Sequence, residues 1–138
     1  MAAADEYGQV TVLVAGVLVA LIAMAGLVFD GGNIVAAHRQ ADDEASGAAR
    51  AAVQELSPTD LFGTGTVVVD AARARAAAAA YLAPTGHDGV VDVQGDRVQV
   101  TVSFREPLQI LGIVGIRSAS IRGEGSAHAV RGVTAAGN

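Results

Sequence analysis

The chain has 138 residues, the size of one small domain. It contains no cysteine, so disulfides, thiolate metal sites and cysteine nucleophiles are excluded. Its formal net charge of −5, with arginine as the only strongly basic residue type, argues against nucleic-acid binding, which needs a basic surface.

Residues 10–29 form an uncharged apolar stretch, VTVLVAGVLVALIAMAGLVF, in which twelve of the twenty side chains are Val, Leu, Ile or Phe. A helix of this length is about 30 Å long, the thickness of a bilayer's hydrocarbon core. We therefore predict a transmembrane helix over 10–29, preceded by a leader over 1–9. A cleaved secretory signal fits less well, because the leader has two acidic residues and no basic one. The cleavage-like residues 35–37 also lie eight positions beyond the stretch.

Small residues follow one face of this predicted helix. Gly16, Ala20 and Ala23 lie at steps of four and three, a spacing that lets a second helix approach closely in a membrane. They predict a helix–helix packing surface, although glycine and alanine are also common in membrane spans for no such reason.

The end of the stretch is marked by Asp30, Gly31 and Gly32, which predict a hinge at the membrane boundary. We expect the transmembrane helix to continue into an alanine-rich helix, whose pattern begins at about residue 33 and ends at about 56, before Ser57-Pro58. The only basic residue near either end of the span is Arg39, so charge alone decides little about orientation.

The remainder predicts a small α+β head over residues 30–132, with a disordered tail over 133–138. Residues 58–65 form a loop, and a second helix runs from Val67 to Leu82, because this stretch is rich in strong helix formers and is followed by Pro84.

Three strands complete the predicted head. The period changes to two at Val91 and Val93, and Gly95-Asp96 suits a type II′ turn. Closing the hairpin there places Val93 opposite Val98 and Val91 opposite Val100. Residues 118–130 alternate small and polar residues and predict a third strand, whereas residues 107–116 predict an apolar loop or short helix packed on the sheet.

No catalytic constellation or cofactor motif is found in the sequence. His38, His87 and His128 lie far apart without metal-ligand spacing and are expected to be solvated surface residues. The acidic run at 42–44 is expected to form a solvated helix face. We therefore expect no enzyme activity, catalytic residue, cofactor, metal, nucleic acid or small-molecule substrate.

Three short segments carry a family resemblance: GQVTV at 8–12, GLVFDGG at 26–32, and HRQ at 38–40 followed by an alanine-rich stretch. They resemble the TadE/TadG-like proteins of the tight-adherence (Flp, type IV-like) pilus assembly system. The resemblance covers residues 7–54 and, more loosely, 104–129. A processed prepilin would carry Glu five residues after its cleavage glycine, where this chain has Leu13 after Gly8, so we expect the span to be retained uncut.

The resemblance implies a non-enzymatic minor pilin or pilus-assembly protein, anchored in the bacterial cytoplasmic membrane by one span. The head would lie outside the cytoplasm, and the partners would be the lipid bilayer and other pilus or secretion-system subunits. The alternative is a membrane-anchored accessory protein of a secretion or envelope complex that never enters a filament. A membrane-anchored hydrolase is the weakest alternative, because no site residues support it.

Overall fold

The computed structural model describes residues 3–57 and 67–130 and has the α+β architecture predicted from the sequence. Contacts divide it into two compact units. Among the described residues, the first unit comprises 3–36 and 105–119, and the second comprises 37–57, 67–104 and 120–130. The predicted loop at 58–65 and the predicted tail at 133–138 lie outside the described residues.

One helix, α1, runs without interruption from Ala3 to Val53. It therefore includes residues 3–9 of the predicted leader, and it ends three residues earlier than predicted. The predicted continuation of the span into the alanine-rich helix is confirmed, because Asp30, Gly31 and Gly32 all have helical conformation. A glycine costs a helix only about 1 kcal/mol, an amount that flanking turns and tertiary contacts override. The flexibility of these three residues stays a prediction.

The second helix, α2, spans Ala71–Leu82, so its predicted start at Val67 is wrong. The residues before it are extended, and Val69 forms an isolated antiparallel bridge with Leu56. Asp70 caps the helix by accepting hydrogen bonds from the backbone N–H groups of Ala72 and Arg73. Val69 is therefore held in a β-bridge, and Asp70 starts the helix. A short 3-10 helix, Ala83–Thr85, follows α2 and contains Pro84, the residue at which the second helix was predicted to end.

The three strands form one antiparallel sheet in the order β1-β2-β3, with bounds Asp88–Gln94, Arg97–Pro107 and Ser118–His128. The predicted hairpin register is confirmed: Val93 pairs with Val98 and Val91 with Val100. Gly95 has a φ of 62°, as the first central position of a type II′ turn requires. Turn chemistry and the period-two pattern thus determine the register together.

Small residues dominate the contact between α1 and the sheet. The predicted alanine stripe is buried, with Ala41, Ala45, Ala48 and Ala52 fully inaccessible to solvent. On β3 the buried positions alternate as predicted. A Cβ atom at Gly123 would overlap the backbone of Ala41, and one at Gly125 would overlap the backbone at Ala45 and Ser46. Glycine on the strand and alanine on the helix therefore allow close backbone approach, and valines of β2 complete the core.

The apolar segment between β2 and β3 includes a 3-10 helix at Leu111–Val114, which confirms the short helix predicted there. We call residues 108–116 the apolar loop. The sequence placed this segment on the face of the sheet, but three of its backbone N–H groups donate to Asp30 of α1 and its Ile110 side chain lies against Gly26 of α1. The cause is a buried acceptor on α1, described below.

Candidate membrane-binding site

Residues 10–29 are called the apolar half of α1. Most of their surface is not covered by other parts of the described chain. Every Val, Leu, Ile, Met and Phe side chain from Val10 to Phe29 is exposed, by 49% at Val14 and by 77% at Val28. Exposure of so many large apolar side chains to water is unfavourable, since burying each one contributes about 1.5–3 kcal/mol. Among the described residues, α1 is long enough and apolar enough to cross a membrane. Its apolar half is suited to a lipid environment.

The predicted packing residues Gly16, Ala20 and Ala23 lie in this apolar half and are exposed. No other part of the described chain comes within 4 Å of a Cβ built at Gly16. Ala23, in contrast, lines a groove shared with the apolar loop. The two ends of the small-residue stripe therefore have different surroundings, and its role in helix association stays a prediction.

Asp30 is buried and fully inaccessible to solvent. Its carboxylate accepts three backbone hydrogen bonds from the apolar loop: Oδ1 from Gln109 at 3.1 Å, and Oδ2 from Ile110 at 3.0 Å and Leu111 at 2.6 Å. Hydrogen bonds to a charged acceptor are about twice as strong as neutral ones. Asp30 thus fixes the apolar loop to α1 at the end of the apolar half.

Sequence reasoning assigned Asp30 to a hinge and missed this anchoring role. The signal available in the sequence was an acidic residue that ends an apolar stretch without a basic residue near it. Its partners are backbone N–H groups 79 to 81 residues away along the chain. Because almost every residue type has such a group, the residue types of the partners do not indicate the contact. One turn earlier, Gly26 is buried and lies against the side chain of Ile110.

In the second unit, a histidine–carboxylate pair joins α1 to the segment before β1. His87 Nδ1 lies 2.7 Å from Glu44 Oε2, and the imidazole stacks on Phe104 with ring centroids 3.9 Å apart. His87 is therefore only partly solvated, contrary to the expectation, because one ring nitrogen faces Glu44 and the ring stacks on Phe104. His38 and His128 are both exposed as expected, although His38 Nδ1 lies 3.2 Å from the carbonyl oxygen of Arg122.

The acidic run at 42–44 is also only partly solvated. Asp42 accepts a hydrogen bond from the backbone N–H of Glu124 at 3.1 Å, and Glu44 is partly buried by its pairing with His87. Asp43 is exposed, as predicted. Within the described part of the chain, no three His, Cys, Asp or Glu side chains lie together so as to hold a metal ion. These carboxylates have structural contacts that account for their positions.

The sequence of α1 matches a known family. Residues 8–55 match the model of the putative Flp pilus-assembly TadE/G-like family, which confirms the resemblance found from the sequence. The matched region is about a third of the chain and contains the whole apolar half together with the buried alanine stripe. No curated protein and no solved structure matches the chain. The family match supports a pilus-assembly role, and together with the exposed apolar helix it supports membrane anchoring.

Proposed function

From the match of residues 8–55 to the Flp pilus-assembly TadE/G-like family, we propose that this protein is a non-enzymatic minor pilin or assembly factor of an Flp-type pilus. A single span over residues 10–29 holds it in the bacterial cytoplasmic membrane. The head, residues 30–132, lies outside the cytoplasm and contacts other pilus subunits.

The observation that carries this proposal is the exposed apolar half of α1. Its twelve Val, Leu, Ile and Phe residues favour membrane insertion by roughly 4–7 kcal/mol on a scale of about −0.3 to −0.6 kcal/mol each. The compact second unit, with its alanine and valine core, supplies a folded head.

Topology is tested with a reporter enzyme that is active only outside the cytoplasm. We expect activity when the reporter is fused after Gly132 and none when the same reporter is fused ahead of Val10. Reporter activity from the fusion ahead of Val10 alone would show the reverse orientation and contradict a pilus role for the head.

Location within the assembly is tested by shearing filaments from cells and probing both fractions for the protein. A minor pilin is recovered with the filaments, and an assembly factor stays in the membrane fraction while its deletion abolishes piliation. A deletion strain with normal pili would favour the alternative, an accessory protein of another envelope complex.

A further inference from the structure

We propose that the apolar loop, residues 108–116, inserts into the lipid bilayer beside the span as a second membrane-embedded element. The inference rests on the proposed membrane anchoring of α1 and goes beyond it, because it assigns lipid contact to a segment of the head. In this proposal, the acyl chains of the bilayer cover the exposed apolar surface of the loop.

The first argument is composition and exposure. The apolar loop reads LQILGIVGI, with no charged residue and Gln109 as its single polar side chain. Ile113 is 81% exposed and Ile116 is 54% exposed. Two isoleucines at the surface of one short loop form an apolar patch that water disfavours. The charged residues Arg105, Glu106 and Arg117 lie just outside the loop at both ends, where a bilayer boundary would place them.

The second argument is backbone hydrogen bonding. Asp30 accepts from the N–H groups of residues 109, 110 and 111. The N–H of Leu108 donates to Arg117, and those of residues 113, 115 and 116 donate to carbonyls within the loop. At least seven of the nine N–H groups are therefore satisfied without water. In water, the N–H groups of a loop can donate to water molecules. In hydrocarbon they have no water to bond, so the protein itself must supply their acceptors.

The third argument is position along α1. A groove of about 230 Å³ is lined by apolar side chains from both segments: Val19, Ile22, Ala23, Ile110, Leu111 and Ile113. Val19 precedes Asp30 by eleven residues, or about 16 Å along a helix axis, and Ala23 precedes it by about 10 Å. One leaflet's hydrocarbon layer is about 15 Å thick. If residues 10–29 span the bilayer, the loop residues that contact this part of α1 lie within the same layer.

The surface of the groove is also continuous with the lipid-facing surface of α1. Val19 and Ile22 are among the exposed large side chains of the apolar half, and they line the groove as well. The same acyl chains that cover the span therefore reach the loop. The alternative is that a second copy of the chain covers the groove. The experiment below distinguishes cover by lipid from cover by protein.

The chain contains no tryptophan, so single tryptophans report the surroundings of chosen positions. We would purify full-length Ile113→Trp, Leu18→Trp and Gln94→Trp variants, reconstitute each at low density in phosphatidylcholine vesicles, and measure emission with and without lipids brominated at mid-chain. Leu18 lies in the span, and Gln94 is exposed at the tip of the hairpin. Circular dichroism confirms folding, and Ile116→Trp repeats the loop measurement at a second position.

We expect strong quenching at residues 18 and 113, intermediate quenching at 116, and none at 94. Quenching at residue 18 without quenching at 113 or 116 would overturn the inserted loop and leave the span intact. Blue-shifted but unquenched emission at 113 would also overturn it, in favour of cover by another protein copy. Absence of quenching at residue 18 would instead contradict the membrane anchoring on which the proposal rests.

Discussion

Residues 10–29 and 37–52 belong to the same helix and are both rich in apolar residues, but their surroundings are opposite. The first stretch has large aliphatic side chains, and all of them are exposed. The second has alanines at its buried positions, five of them fully inaccessible to solvent. Hydrophobicity alone does not distinguish the two stretches.

Side-chain size distinguishes them. Where α1 packs on β3, the backbone of the helix is so close to Gly123 and Gly125 that even a methyl group on the strand would overlap it. Large side chains on either partner would force the two apart. In residues 10–29 no close protein neighbour limits most side chains, so large residues maximise the apolar area offered to lipid. A change from large to small apolar residues along one helix therefore marks the change from lipid to protein surroundings.

The largest effect should come from the sheet on which the alanine stretch packs. Val100 is fully buried in the core, so Val100→Asp would place an unpaired charge there. The cost is several kcal/mol, comparable to the whole stability of a small domain. We expect the head to unfold, measured by circular dichroism, while the protein stays in the membrane fraction through residues 10–29.

The matched control is Gln99→Ser, the exposed neighbour of Val100 on β2. It should leave the unfolding transition almost unchanged. Similar destabilisation by both substitutions would show that the assignment of strand faces is wrong. Release of the Val100→Asp protein from the membrane would show that the span alone does not anchor the chain.

A second test adds the same bulk to each stretch of α1. Ala45 is fully buried against β3, so Ala45→Leu should overpack the contact and lower the free energy of unfolding by about 3 kcal/mol. Ala20→Leu adds the same atoms to an exposed position and should leave head stability unchanged. Chemical denaturation in detergent, followed by circular dichroism, measures both. Equal stability of the two variants would contradict the difference in packing between the stretches.

A third test concerns the boundary between the stretches. Asp30 and Asp42 both accept backbone hydrogen bonds from elsewhere in the chain, but Asp30 is buried with three donors and Asp42 is exposed with one. Asp30→Ala leaves three part-buried N–H groups without this acceptor, so it should lower the free energy of local opening by about 2 kcal/mol. We expect faster amide hydrogen exchange at residues 109–111.

For Asp42→Ala we expect a loss below about 1 kcal/mol, seen as a modest acceleration at Glu124, because water replaces the lost acceptor at an exposed site. Asp30→Asn retains one carbonyl oxygen and should give an intermediate effect at residues 109–111. Unchanged exchange there in Asp30→Ala would mean that the carboxylate does not hold the apolar loop.

The features predicted correctly from the sequence are those set by nearby residues. The hairpin register follows from an alternation of valines and a Gly-Asp turn that adjoin one another, and the buried face of β3 follows from its own alternation. The alanine stripe likewise shows its period within one helix. In each case the pattern that predicts the structure lies within about twenty residues of the feature itself.

The features that were missed depend on distant groups. The anchoring role of Asp30 was missed because its carboxylate accepts hydrogen bonds from backbone groups about eighty residues away. Glu44 pairs with His87, 43 residues later, although both read as solvated residues in the sequence. The start of α2 was misplaced because Val69 pairs with Leu56, which lies thirteen residues earlier in the chain. Tertiary contacts decided these three points against local propensity.

The smallest effect we expect lies within the apolar half itself and concerns helix association. Lipid gives two helices no hydrophobic reason to pair, so close backbone packing has to supply the attraction. A Cβ at Gly16 would meet nothing within 4 Å in the described chain, so this position is open to a partner helix. Gly16→Leu should therefore weaken association with partner subunits by about 1 kcal/mol, a roughly fivefold loss.

Val14→Leu is the matched control, because it adds apolar bulk on a different face of the same helix and leaves the span equally insertable. Partner recovery is measured by co-purification from solubilised membranes, at equal expression of each variant. We expect reduced recovery with Gly16→Leu and normal recovery with Val14→Leu, since only the first fills the space through which a helix approaches. Normal recovery with both would contradict a packing role for Gly16, Ala20 and Ala23 and leave the head as the contact with partners. Reduced recovery with both would indicate that the whole circumference of the helix is packed, as inside a filament, and that residues 10–29 have protein as well as lipid for neighbours.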